Sequence, residues 1–318
     1  MAVSEERPLV VLSETLPDDW LAGLRRDADV LLLDGAADGD LRRAVGLLAT
    51  LNLRIDDGLL ERLPSLKVVS IMAVGTDNVD LEACARRGLP VGNTPGVLTD
   101  ATADLAMALL LAAARNLSTA AQDAREGRWT TWTPTGWLGA DLRRATLGIV
   151  GMGQIGLATA RRARAFGMHV AYHGRSPNAE AEAKLGARRL PLDELLSTSD
   201  FVSLHVPLSA DTRHLINAQT LRQMRPAAYL VNTARGGVVD QAALLRALQE
   251  GWIAGAALDV TDPEPLPPDH PLFGQPNCLI LPHVGSATRG TRRHMAQLAV
   301  QNLLQGIRGE PLRHAVPS

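Results

Sequence analysis

The sequence has 318 residues, 46% of them apolar, which at roughly one domain per 150 residues is enough for two buried cores. Lys and Arg number 32 against 34 Asp and Glu, a net charge of -2, so a dedicated nucleic-acid binder is excluded and an anionic membrane surface has nothing to attract. Disorder, collagen and coiled coil are excluded as well, and aromatics at only 3% point to aliphatic helix-on-sheet cores.

The opening stretch, MAVSEERPLVVL, places acidic residues where a secretory leader needs basic ones, and its apolar run is short. Leu9 to Leu12, Val30 to Leu33, Val45 to Ala49 and Lys67 to Met72 read as strands, with helices over Asp56 to Leu63 and Leu81 to Arg87. They define a first, smaller α/β unit. A long helix is predicted from Leu98 to roughly Glu126, opened by Thr99 and Asp100 and closed by Gly127. Its Ala, Leu and Met face is expected to be buried on more than one side. Within it, the uncharged stretch Leu105 to Ala114 is about half of the roughly 20 residues that a membrane span requires, and the chain is read as cytoplasmic.

From residue 145 on, strands are predicted over Thr146 to Val150, His169 to Tyr172, Phe201 to His205, Ala228 to Asn232, Gly255 to Asp259 and Cys278 to Leu281. Helical patterns separate them, which is the rhythm of a doubly wound parallel sheet. A last helix, Thr291 to Leu304, leaves the end of the chain free to pack back on the first unit. The expected division is residues 1–100 plus 289–318 as one unit and 101–288 as the other. Cys84 and Cys278 fit neither C-x-x-C nor a zinc spacing and read as unpaired thiols.

The strand ending at Val150 runs directly into Gly151-Met152-Gly153-Gln154-Ile155-Gly156, and a helix is predicted from Ala158 to Phe166. In that context the G-x-G-x-x-G spacing is a dinucleotide fingerprint. Gly151 permits the tight turn, Gly153 lets the backbone approach a pyrophosphate, Gly156 lets the helix pack on the strand, and the helix N-terminus receives the phosphates. About 20 residues further on, an NAD site offers a carboxylate to the adenosine ribose. Here the strand ends His173-Gly174-Arg175-Ser176, with no acidic residue between Asp141 and Glu180. The absent carboxylate, together with Gly174, Arg175 and Ser176, predicts NADP(H) over NAD(H); a solvated loop arginine is the alternative for Arg175.

Three further strand ends carry polar groups where open sheets bind ligands. Asn232-Thr233-Ala234 leads to Arg235-Gly236-Gly237, Asp259 leads to Glu264 between Pro263 and Pro265, and Leu281-Pro282 leads to His283-Val284-Gly285-Ser286. Taken singly, each of Arg235, Glu264 and His283 has an ordinary structural reading. Together they supply what reduction of a 2-keto acid needs: a cation for the substrate carboxylate, a proton donor for the developing alkoxide, and a carboxylate that orients and charges the donor. His173, His205, His214 and His270 show no metal-ligand spacing, and no metal is called for.

The chain resembles the D-isomer-specific 2-hydroxyacid dehydrogenases through VGTDNVDL (Val74 to Leu81), GMGQIG, LVNTARGGVVD (Leu230 to Asp240), LDVTDPEPLPPDHPL (Leu258 to Leu272) and LPHVGSAT (Leu281 to Thr288). VLTDATADLAMALLLAAAR, RWTTWTP, HGRS and DPEPLPPDHPL are most similar to the glyoxylate/hydroxypyruvate reductases of that family. The resemblance implies a Rossmann cofactor domain beside a flavodoxin-like substrate domain, with Arg235, Glu264 and His283 as the catalytic set. It places Val74, Gly75 and Ser286 with the substrate, Thr233, Ala234, Asp259 and Gly285 toward the nicotinamide, and Val206 and Pro207 at the adenine edge. It also implies a homodimer through the 98–126 helix and the Trp129 to Trp137 loop, in which Trp137 helps shape a pocket. An aromatic patch that packs the long helix or the dimer interface is the other reading of that loop. Two rival functions stand beside the reductase: an enzyme for bulkier 2-keto acids, and a regulatory protein that senses a dinucleotide without turnover.

Overall fold

A computed structural model describes residues 7–317, so the leader reading of residues 1–6 lies outside the described residues. The described chain falls into two units, one ending at Leu98 and resuming at Thr288, the other spanning Thr99–Ala287. The divisions expected from the sequence fall at 100 and 288.

In the first unit the chain forms β1 (Leu9–Leu12), α1 (Ala22–Asp27), β2 (Asp29–Leu32), α2 (Asp38–Arg43), β3 (Gly46–Ala49), α3 (Asp57–Arg62), β4 (Val68–Ile71), α4 (Leu81–Arg86) and the two-residue β5 (Val91–Gly92). All strands are parallel, in the order β2-β1-β3-β4-β5, which is the flavodoxin-like winding. Val68, Val69, Ser70 and Ile71 are buried on both faces of the sheet, as a covered parallel strand requires. Asp56 and Asp80 start α3 and α4 by accepting from the backbone N–H groups of Leu59 and Ala83.

The second unit opens with α5 (Thr99–Ala114) and α6 (Leu117–Arg125), where the sequence pattern predicts one continuous helix. Asn116 breaks it by adopting φ 50°, a left-handed conformation that asparagine tolerates better than most residues. The chain then forms β6 (Thr146–Val150), α7 (Gln154–Ala165), β7 (His169–His173), α8 (Ala179–Leu185), β8 (Arg188–Arg189), α9 (Leu192–Thr198), β9 (Phe201–Leu204), α10 (Ala218–Gln223), β10 (Tyr229–Asn232), α11 (Gln241–Gln249), β11 (Gly255–Leu258) and β12 (Cys278–Ile280). Their order, β12-β11-β10-β9-β6-β7-β8, is wholly parallel. It reverses between β6 and β9, the switch point at which doubly wound sheets bind ligands. The six predicted strands match to within a residue at each end, whereas α7 begins at Gln154 rather than Ala158, so Gln154, Ile155 and Gly156 form its first turn.

α12 (Arg289–Ile307) then returns the chain to the first unit and is longer than the predicted Thr291 to Leu304. Ser70 Oγ on β4 donates to the Ala299 carbonyl at 2.8 Å, and a Cβ on Gly306 would lie 2.4 Å from that of Val68. Glycine is what lets helix and strand come this close. Cys84 is buried and Cys278 half-buried, both as free thiols, and burial pushes Cys278 up to about 12. No helix among the described residues is long and apolar enough to cross a membrane.

Candidate active site

The Gly-rich turn sits at the switch point. Gly151 has φ +99°, and a Cβ there would lie 2.7 Å from the His205 carbonyl at the end of β9, so only glycine fits. A Cβ on Gly156 would meet the Gly151 carbonyl at 2.2 Å. Around Gly153 there is open space, and no side chain caps the N–H groups with which α7 begins. Glycine at 153 therefore answers no internal crowding; it leaves bare backbone facing outward at a helix N-terminus, as a pyrophosphate needs.

Beside the turn, β7 ends in Gly174, Arg175 and Ser176. Arg175 and Ser176 are exposed. Asn178 anchors the next residues, donating from Nδ2 to the Met152 carbonyl at 2.9 Å and from its backbone N–H to the Tyr172 hydroxyl at 2.8 Å. That hydroxyl donates to Glu182 Oε1 at 2.5 Å. Arg189 on β8 donates to the carbonyls of Gly174 and Arg175, at 2.9 Å each from Nη2. Neither Asn178 nor Arg189 is distinguishable in the sequence, since both act through side-chain bonds to distant backbone. At the end of β9, Val206 packs against Gly151 and the Pro207 carbonyl accepts from Thr212 Oγ1 at 2.6 Å. His205 Nε2 lies 2.9 Å from Ser203 Oγ, and desolvation pulls this imidazole down to about 4.

The end of β10 is organised by buried Asn232, whose Oδ1 accepts from Ala234 N at 3.0 Å and whose Nδ2 donates to the Arg235 carbonyl at 2.9 Å. Between these bonds lies Thr233, whose buried hydroxyl has no partner among the described residues. A buried orphan hydroxyl calls for a ligand or a water, and it stands on the strand end where the resemblance places the nicotinamide. Together with the bare turn at Gly153, it makes these residues a fit for a dinucleotide. Arg235 donates from Nη1 to the Ala234 carbonyl at 2.8 Å.

Gly236 and Gly237, which follow Arg235, are both buried. A Cβ on Gly236 would lie 2.0 Å from the Thr261 carbonyl group, so this glycine packs the loop after β10 against the loop after β11 and leaves no backbone there open to a ligand. Gln241, unremarkable in the sequence, holds the second loop. Its Nε2 donates to the Asp262 carbonyl, and its Oε1 accepts from Asp262 N at 3.0 Å.

Asp259 is 1% exposed. Its carboxylate accepts from Val284 N at 2.7 Å and Gly285 N at 2.8 Å, while its carbonyl accepts from His283 N at 2.9 Å. Burial pushes this carboxyl above the usual range, and the two backbone donors oppose the shift. It thus anchors the loop that carries His283, Gly285 and Ser286. His283 itself has φ 53°, and its Nδ1 lies 2.5 Å from Glu264 Oε1. Glu264 Oε2 accepts from Thr261 N at 3.3 Å. A carboxylate can only accept, so Nδ1 carries the hydrogen and Nε2 is the nitrogen left for other partners. Arg235, Glu264 and His283 all stand at the carboxyl ends of adjacent strands of one sheet.

In the first unit, Val74 and Gly75 follow β4 and are half-buried or nearly so, and the Val74 carbonyl accepts from Asn93 Nδ2 at 2.8 Å. In the tryptophan loop, Trp129 is 62% and Trp132 80% exposed in the single chain. Trp137 does reach α6, donating from Nε1 to Asp123 Oδ2 at 2.7 Å; with Arg128, that bond holds the Asp123 carboxyl below its usual range.

The family model for the D-isomer specific 2-hydroxyacid dehydrogenase NAD binding domain matches residues 107–285. Over 312 residues the chain is 50% identical to a glyoxylate reductase of Korarchaeum cryptofilum, spanning 96% of this chain and 94% of that one. A crystal structure of a Thermus thermophilus protein aligns at TM-score 0.89 and 48% identity, covering 97% of this chain and 100% of the other. An NADPH-dependent glyoxylate/hydroxypyruvate reductase of Sinorhizobium meliloti, crystallised with NADP and malonate, aligns at TM-score 0.88 and 37% identity over 98% and 97% of the two chains. The chain belongs to the D-isomer specific 2-hydroxyacid dehydrogenases. It is an oxidoreductase with the two parallel-sheet α/β units of that family.

Proposed function

We propose that the chain reduces glyoxylate and hydroxypyruvate with NADPH, giving glycolate and D-glycerate. The observation that carries this reading is the His283–Glu264 pair, set at 2.5 Å on the same sheet edge as the Gly-rich turn and Arg235. The relatives described as glyoxylate reductases, and the neighbour crystallised with NADP, support the choice of substrate and cofactor.

When bound, the nicotinamide supplies the hydride. Arg235 holds the substrate carboxylate and polarises the keto group. Backbone N–H groups at Val74 and Gly75 also receive the carboxylate, and Ser286 and Trp137 bound the substrate. Glu264 accepts from Nδ1 of His283 and fixes the ring, so that Nε2 delivers a proton to the oxygen as the alkoxide develops. Gly151, Gly153, Gln154, Ile155 and Gly156 cradle the pyrophosphate, while Gly174, Arg175 and Ser176 read the 2'-phosphate. Val206 and Pro207 edge the adenine; Thr233, Ala234, Asp259 and Gly285 face the nicotinamide. The working form is a cytoplasmic homodimer joined through residues 98–126 and the Trp129–Trp137 loop.

The test is kcat/KM for glyoxylate, hydroxypyruvate, pyruvate and a branched 2-keto acid, each with NADPH and with NADH. The two small polar acids leading, with NADPH preferred, is the expected result. A preference for the branched acid overturns the substrate assignment, a preference for NADH overturns the cofactor assignment, and cofactor binding without turnover overturns the enzyme reading.

A further inference from the structure

We propose that Arg189 is a second cation of the 2'-phosphate subsite, acting both as the strut that shapes the Gly174–Ser176 loop and as a direct donor to the phosphate; this rests on the NADP(H) reading above. Three of its hydrogen bonds go to that loop: Nε to the Gly174 carbonyl at 3.2 Å, Nη2 to the same carbonyl at 2.9 Å, and Nη2 to the Arg175 carbonyl at 2.9 Å. The planar fork of a guanidinium can bind two successive carbonyls in this way, and a lysine ammonium cannot match it. The Nη1 amine takes no part in these bonds.

A separate observation concerns charge. Among the described residues, neither Arg175 nor Arg189 is paired with a carboxylate, although other arginines of this unit are. Arg161 pairs with Glu180, Arg162 with Asp100 and Asp104, Arg188 with Glu194, and Arg225 with Asp200. The carboxylates nearest in sequence are committed elsewhere, Glu180 to Arg161 and Lys184, and Glu182 to the Tyr172 hydroxyl. Two arginines joined through one loop, neither within ion-pair distance of a carboxylate among the described residues, make a site for a dianion. The loop itself is fastened to the Gly-rich turn through Asn178 and the Met152 carbonyl, so the two cations and the pyrophosphate cradle are held in one register. Arg189 follows β7 by sixteen residues, far outside the segment that the dinucleotide fingerprint covers, and only the pairing of β8 with β7 brings it to the loop.

The experiment is calorimetric titration of the wild type, Arg175→Ala, Arg189→Ala, Arg189→Lys and the double alanine variant with NADPH and with NADH, with thermal melts to check folding. We expect Arg189→Ala to weaken NADPH by roughly 10- to 100-fold while NADH changes by less than about two-fold. Arg189→Lys should recover only part of the loss, because it keeps the charge without the fork. In the double variant the losses should be less than multiplicative, since Arg189 acts partly by placing Arg175. Equal weakening of NADPH and NADH in Arg189→Ala would make it a structural residue and overturn the proposal. A wild type that prefers NADPH, loses the preference in Arg175→Ala and keeps it in Arg189→Ala overturns the role of Arg189 alone. A wild type that binds both dinucleotides equally overturns the NADP(H) reading itself.

Discussion

Nδ1 of His283 and Oε1 of Glu264 stand 2.5 Å apart, which commits one ring nitrogen to the carboxylate and leaves the other for chemistry. Replacing His283 with Ala should lower kcat for keto-acid reduction by about 10² to 10⁴-fold with NADPH affinity little changed. Wild-type turnover in that variant would remove His283 from the mechanism. In Glu264→Gln the ring keeps an acceptor but loses the adjacent negative charge. The kcat of this variant should therefore fall by roughly 10-fold as the charge-assisted bond is lost, and an unchanged kcat would show that Glu264 does not support the ring in catalysis.

Arg235 lies on the loop that Asn232 ties down through both ends of its amide. Loss of its charge-assisted bonds in Arg235→Ala should cut kcat/KM for glyoxylate by roughly 10- to 100-fold or more. Steady-state kinetics with unchanged kcat/KM would rule out a substrate clamp.

Gly236 is the position where the smallest addition is expected to do the most damage. A methyl group there meets the Thr261 carbonyl at 2.0 Å, and neither backbone can yield without moving the loop that holds Glu264. Gly236→Ala should destabilise the protein by about 3 kcal/mol and depress kcat. A denaturant midpoint equal to that of the wild type would mean that the two loops are not as tightly coupled as their packing indicates.

The desolvation of His205 has a pH signature. Its folded value of about 4 lies below the ordinary 6.5, so between these pH values the unfolded chain binds more protons and stability rises with pH. The contribution is fully present above about pH 6.5 and is lost as pH falls toward 4, at up to about 3 kcal/mol. Urea unfolding from about pH 4.5 to about pH 7 should show this slope, and His205→Gln should flatten it; an unchanged slope would assign acid sensitivity to other groups.

The homodimer proposed above is tested at Trp132, Trp129 and Leu138, which are 80%, 62% and 68% exposed in a single chain. Trp129→Ser combined with Trp132→Ser should convert a dimer to monomers in light scattering coupled to gel filtration. A dimer that persists would move the interface elsewhere.

The second unit is legible in the sequence because every strand of its sheet except β8 is a short, largely apolar run ending in a polar or Gly-marked loop, and burial enforces that pattern. Chemistry-bearing side chains near strand ends, such as His283 and Glu264, are legible for the same reason. What the sequence conceals has physical causes. α1 and α2 are six residues long and rich in polar side chains, and β5 and β8 have two residues each, too short for any period to register. The break at Asn116 carries neither Gly nor Pro. Asn178, Arg189 and Gln241 act through side-chain bonds to backbone that folding alone brings near, and no local pattern marks such bonds.

The arrangement of α12 bears on how the molecule is made. Strand β4 is among the early elements of the chain, yet the helix that buries it, through Ser70 with Ala299 and Val68 with Gly306, is the last. During synthesis all the strands of the second unit emerge before that helix does, so the unit with the earlier start is the one completed later. A nascent chain stalled before residue 288 would hold the complete sheet of the second unit and a first-unit sheet lacking α12 on one face, and that face is where a chaperone would be needed.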